Sequence, residues 1–140
     1  MPKINARRVL LGGLVAGVFS NLSGILMAHF VFAEEARALA QRMNVELGPG
    51  TGLLHLTTRF AVMIGLVWLY AAIRPRFGPG PRTAALAGLA VWLFTFGFSF
   101  LTHLPYGFYS LRTLAILPVW SLVEMQVAAQ IGAYLYREEA

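Results

Sequence analysis

The chain has 140 residues, of which 58% are hydrophobic and only 12% charged, whereas a soluble domain carries about a quarter charged residues. This composition argues against a water-soluble globule and for a membrane protein, with ten Phe and with charges gathered between apolar runs. The formal net charge of +5 invites a nucleic-acid reading, but the basic residues stand at the ends of apolar segments; no nucleic-acid partner is expected. With no cysteine, the sequence excludes disulfides, iron–sulfur clusters and thiolate metal sites.

Lys3, Arg7 and Arg8 precede a first apolar run over 9–33. Its beginning resembles a signal peptide, but a signal core has only about 7 to 15 residues, so the run is expected to be retained as a span. Gly12, Ala16, Ser20, Gly24 and Ala28 recur every four residues, flanked by Gly13 and Gly17. Small residues at that period predict a helix-packing ridge, the alternative being the general richness of membrane helices in Gly and Ala.

From 34 to 51 the chain turns polar, and an outer loop is expected there, with the first helix reaching to about Met43 before Gly48, Pro49, Gly50 and Gly52 turn it into the second span. That span covers 52–73. The connection RPRFGPGPR, from Arg74 to Arg82, is short enough to make the second and third spans antiparallel neighbours. A third span over 83–104 leads into Pro105, Tyr106, Gly107, Phe108 and Tyr109, which suit a membrane interface. A fourth runs over 114–136, with Pro118 either in its first turn or at a kink. Trp68, Tyr70, Tyr134 and Tyr136 are expected at the opposite interface.

The fold class that follows is all-α, a transmembrane four-helix bundle of up-down-up-down order forming a single membrane domain. Lys3, Arg7, Arg8, Arg74, Arg76, Arg82 and Arg137 fall on one side against Arg37, Arg42 and Arg112 on the other, which places both termini in the cytoplasm.

Counting along helices at ~1.5 Å per residue gives depth. Asn21, Arg59 and Glu124 fall about 20 Å from the basic anchors. Arg59 is the only basic and Glu124 the only acidic residue well inside a span, so the two form a natural intramembrane pair with Asn21 or Ser121 to satisfy the remaining groups. The pair either fixes helix register or takes part in function. His29, His55 and His103 share a level about 30 Å up. They read either as interfacial residues with wet ring tips or as a converging site for a metal ion or b-type haem; no HxxxH spacing is present, and no cofactor is the primary expectation. On the third span Thr95, Ser99 and Thr102 share a sector with His103 between the pairs Phe94/Phe98 and Phe96/Phe100. That sector suits a groove for a quinone head group or a lipid, or else a plain helix interface.

The stretches LLGGLVAGV from Leu10, VWLYAAIRPRFGPGPRTA around Arg74 and GAYLYREE near the C-terminus together resemble a family of small, uncharacterised four-helix bacterial inner-membrane proteins. The resemblance implies a multi-pass protein of the bacterial inner membrane and transfers no site residue. Without a soluble domain, nucleotide motif or thiol, the sequence points to a non-enzymatic structural or accessory subunit in the lipid bilayer, a homo-oligomer or part of a larger membrane complex. The alternative is a ligand-, metal- or haem-binding module built on the histidine layer.

Overall fold

A computed structural model describes residues 3–46 and 48–138. Its four long helices are α1 (Ala6–Met43), α2 (Pro49–Phe77), α3 (Pro81–Tyr106) and α4 (Leu111–Leu135), each long and apolar enough to cross a membrane. The described residues contain no strand.

Local chemistry sets the helix ends. Asn5 caps α1 by accepting the Arg8 N–H at 3.0 Å. Ala28–Phe32 loosen into a π turn, after which Ala33–Met43 continue as α-helix. Within the polar stretch over 34–51 the helix thus reaches Met43, where it was expected to end, because Ala, Glu, Leu, Gln, Arg and Met are all good helix formers. Asn44 then turns left-handed at φ 51°, with the Val45 N–H bonded to the Ala40 carbonyl at 2.9 Å. Pro49 opens α2 at its first position, so Gly50 and Gly52 lie in the helix rather than in the expected turn. At the far end α2 runs through Pro75 to Phe77, beyond the expected limit at residue 73.

The link to α3 turns on Gly78 and Gly80, with φ of 81° and 130°. It is tied down by Thr83, whose hydroxyl donates to the Gly78 carbonyl at 2.7 Å, and by Tyr70, whose hydroxyl accepts the Gly80 N–H at 3.3 Å. A second π turn, Leu93–Gly97, interrupts α3. Ser110 caps α4 through the Thr113 N–H, so α4 starts at Leu111 and Pro118 lies inside it rather than in its first turn.

Small residues let the helices approach. A Cβ on Gly13 would lie 2.5 Å from Ile64 Cα, and one on Gly12 would lie 2.9 Å from the Gly132 carbonyl oxygen. Gly17 lies against the Phe60 ring, and Gly24 supports the Arg59 guanidinium. Gly12, Ala16 and Ser20 are buried, but Ala28 is exposed, so the ridge ends at Gly24. The reason is that α2 offers nothing to pack against at that level: every residue over 52–58 is exposed. The core is thus concentrated toward the end that carries Arg74 and Arg82, with Ala16, Leu66, Val67, Ala84, Ala87 and Ala128 at its centre.

Two of the four expected interfacial aromatics turn inward. Trp68 and Tyr134 are exposed, but Tyr70 and Tyr136 are buried edge-to-face with ring centroids 6.0 Å apart. Their hydroxyls explain why burial is tolerated, since Tyr136 accepts the Asn5 N–H at 3.4 Å while Tyr70 holds Gly80. Arg74 covers the Tyr136 ring at 5.7 Å and pairs with Glu138 at 2.9 Å.

Candidate functional site

The site forms where α1, α2 and α4 meet. Arg59 Nη1 donates to Glu124 Oε1 at 2.6 Å, to the Ser20 hydroxyl at 2.8 Å and to the Ser20 carbonyl at 2.7 Å. The Ser20 hydroxyl in turn donates to Glu124 Oε1 at 2.8 Å. Ser20 is fully buried and the Glu124 side chain only 9% exposed, whereas the Arg59 side chain is 36% exposed. The carboxylate is therefore enclosed by protein, and the guanidinium keeps an open side. Charge-assisted bonds of this kind offset the penalty of holding two ions away from water.

Asn21 is not part of this cluster. Its amide donates to the Gly17 carbonyl of its own helix at 2.9 Å. One residue turns a helix by about 100°, so Asn21 shares the depth of the pair without sharing its direction. Ser20 is the member that depth alone misses, although the small-residue ridge already gives its direction. Ser121 is also engaged elsewhere: it accepts the Trp92 indole N–H at 2.9 Å and donates to the Pro118 carbonyl at 3.0 Å.

Beside the cluster a cavity of about 660 Å³ runs between α1 and α4, lined by Phe19, Leu22, Leu26, Val119, Val123 and Val127 among others. Its polar elements are Glu124 and the bond from the Trp120 indole N–H to the Ser23 hydroxyl at 3.0 Å. Nothing in the sequence marked Trp120 and Ser23 as partners, because their contact depends on the rotation of α4.

The three histidines do not meet. His29 lies edge-on against Phe30. His103 Nδ1 donates to the Ser99 carbonyl at 2.6 Å, and its ring lies near Tyr106 and Phe108. His55 sits on the exposed stretch of α2. Among the described residues no group of three His, Cys, Asp or Glu side chains is placed to hold a metal ion. Among the described residues none of the ring contacts joins one histidine to another.

The Thr95, Ser99 and Thr102 sector is exposed. Thr95 donates to the Val91 carbonyl at 2.7 Å and Thr102 to the Ser99 carbonyl at 2.8 Å, so their hydroxyls are satisfied within their own helix. The aromatic pairs beside them do form, with Phe94 and Phe98 at 5.7 Å and Phe96 and Phe100 at 5.4 Å.

A second polar contact lies at the polar end of α1, outside the apolar stretch. Glu35 Oε1 accepts the Ser110 N–H at 3.3 Å and so caps α4 from another helix. Burial alone pushes this carboxyl up, but hydrogen bonds from Ser110 and Thr113 and the charge of Arg112 outweigh it and hold the group below its ordinary value.

Comparison of the chain with models of protein families, with curated proteins and with solved structures finds no match.

Proposed function

We propose that the chain is a multi-pass protein of the bacterial inner membrane that serves as a non-enzymatic structural or accessory subunit. Its order is up-down-up-down with both termini cytoplasmic. The observation that carries this reading is the imbalance along α2: Met63, Leu66, Val67, Tyr70 and Ala71 are buried in the bundle, while all residues over 52–58 are exposed. A span packed along only one half leaves about two turns of unpacked helix, ~10 Å long, as surface for a partner helix, either a second copy or a subunit of a larger complex.

The order is supported by the residue pairings. From Gly13 to Gly24 on α1 the α2 partners descend from Ile64 to Arg59, and from Gly12 to Ser23 the α4 partners descend from Gly132 to Trp120. The cytoplasmic placement of the termini is supported by the basic residues at the Arg74 end.

The chain's lack of cysteine makes the test direct. Leu54→Cys, at a residue that is 66% exposed, should give disulfide- or maleimide-linked species above monomer mass in native membranes. A strictly monomeric product, together with a monomer by native mass spectrometry from nanodiscs, would refute the assembly role. Glu46→Cys and Phe77→Cys should label from opposite sides; labelling of both from outside the cell would overturn the topology.

A further inference from the structure

The cavity between α1 and α4 has a feature that packing does not explain. Glu124 is one of its lining residues, and both donors that reach the carboxylate, Ser20 and Arg59, converge on Oε1. Oε2 takes no bond from any described residue. An ionised carboxylate oxygen is an acceptor only, and one facing an apolar cleft is costly until a donor arrives. Glu124 stands midway along the 25-residue α4, about 20 Å from one end and about 16 Å from the other. A phospholipid head group does not sit at that depth, and an acyl chain filling the cleft brings no donor.

We propose that this cleft binds an isoprenoid quinol, with one phenolic hydroxyl donating to Glu124 Oε2. The occupant must be lipid-soluble, must carry a hydroxyl donor inside the hydrocarbon layer, and must fit a cleft of about 660 Å³. A quinol meets all three conditions. Its ring can lie against Phe19 and Trp120, and its branched tail against Leu22, Val119 and Val123. The Ser23 hydroxyl accepts from Trp120 and keeps its own hydrogen free to donate to the second ring oxygen. The oxidised quinone has only carbonyl acceptors, and a carbonyl facing Oε2 sets acceptor against acceptor. The site therefore selects the reduced form by hydrogen-bond polarity, and binding requires no electron transfer.

The test is tryptophan quenching of the full chain in nanodiscs titrated with decylubiquinol and decylubiquinone, using Trp120→Phe to identify the reporter. The reduced ligand should bind at least about tenfold more tightly, equivalent to ~1.4 kcal/mol. Glu124→Gln adds an amide donor and should abolish or reverse that preference. Because this change also disturbs Arg59, Val119→Trp serves as an independent variant: it fills the cleft from a residue that is 63% exposed and should remove quenching without affecting the melting temperature. Equal affinity for the two oxidation states, preference for the quinone, undiminished quenching in folded Val119→Trp, or equal competition by dodecane would each overturn the proposal.

Discussion

Replacing Arg59 and Glu124 singly and together should reveal a strong, unequal coupling. Removing one partner of a buried ion pair costs about 3 to 5 kcal/mol, because the other is left as an uncompensated charge. The two single variants strand different groups. Arg59→Met leaves a carboxylate that is 9% exposed with the Ser20 hydroxyl as its only donor, which places the cost near the upper end, ~5 kcal/mol. Glu124→Met leaves a guanidinium that is 36% exposed and still bonded to the Ser20 carbonyl and hydroxyl, so ~3 kcal/mol or less is expected after allowing for its open side. The double Met variant removes both charges at similar volume and should lie within ~1 kcal/mol of the parent. The denatured chain in a bilayer also finds hydrogen-bond partners, which reduces all these figures, yet a coupling of at least ~2 kcal/mol should survive. Reversible unfolding of the four proteins in bicelles measures the cycle. Additivity within ~0.5 kcal/mol, or Glu124→Met being the worse single change, would refute the reasoning.

Ser20→Ala removes a hydroxyl bonded to both ions and should cost about 1 to 2 kcal/mol in the same assay, whereas Asn21→Ala loses only a bond to its own helix and should cost less than ~0.5 kcal/mol. Gly13→Ala drives a methyl group to within 2.5 Å of Ile64 Cα and should destabilise by about 1 to 3 kcal/mol, while Gly65→Ala meets nothing within 4 Å and should be neutral or gain up to ~1 kcal/mol; the opposite order of melting temperatures would contradict the packing. For Glu35 the folded value lies below the ordinary one, so the contact with Ser110 adds stability above the ordinary carboxylate range and loses it as the pH falls through the lowered value. The melting-temperature gap between the parent and Glu35→Gln should close over that range, and parallel curves would sink the idea.

Counting residues from the basic anchors gives height along a helix but says nothing of direction around it, and this separates what was legible from what was not. Arg59 and Glu124 were legible as partners because each is the only charge of its sign at its level, and a buried charge constrains rotation by itself. The ridge over Gly12, Ala16, Ser20 and Gly24 was legible because a period of four residues does carry direction. His29, His55 and His103 carry no such constraint, since an imidazole near an interface can be satisfied by a carbonyl or by water, and a count along the helix gives them no common direction. Thr95 and Thr102 escaped the same way, because a hydroxyl can bond back to its own helix. The continuation of the first helix to Met43 was legible because Ala, Glu, Leu, Gln and Arg favour helix whatever their polarity, whereas the start of α2 at Pro49 was not, because Gly50 and Gly52 suggest a turn.

The level of the polar cluster coincides with the limit of close packing. Toward the basic end, α2 is buried at Met63, Leu66, Val67, Tyr70 and Ala71, and α4 at Met125, Ala128, Ala129 and Gly132. On the other side of Arg59, the α2 residues over 52–58 are all exposed. Apolar packing between small residues tolerates sliding, because one Ala or Gly resembles the next. A one-turn slip of α4 along α1 moves Glu124 about 5.4 Å from Ser20 and breaks every bond the carboxylate makes, so the cluster fixes the register that the Gly and Ala contacts leave loose. That role concerns only Oε1 and the Nη1 hydrogens. The Oε2 atom, which takes no bond from the described residues, adds nothing to register, which is why it, rather than the ion pair as such, is the group left for a ligand.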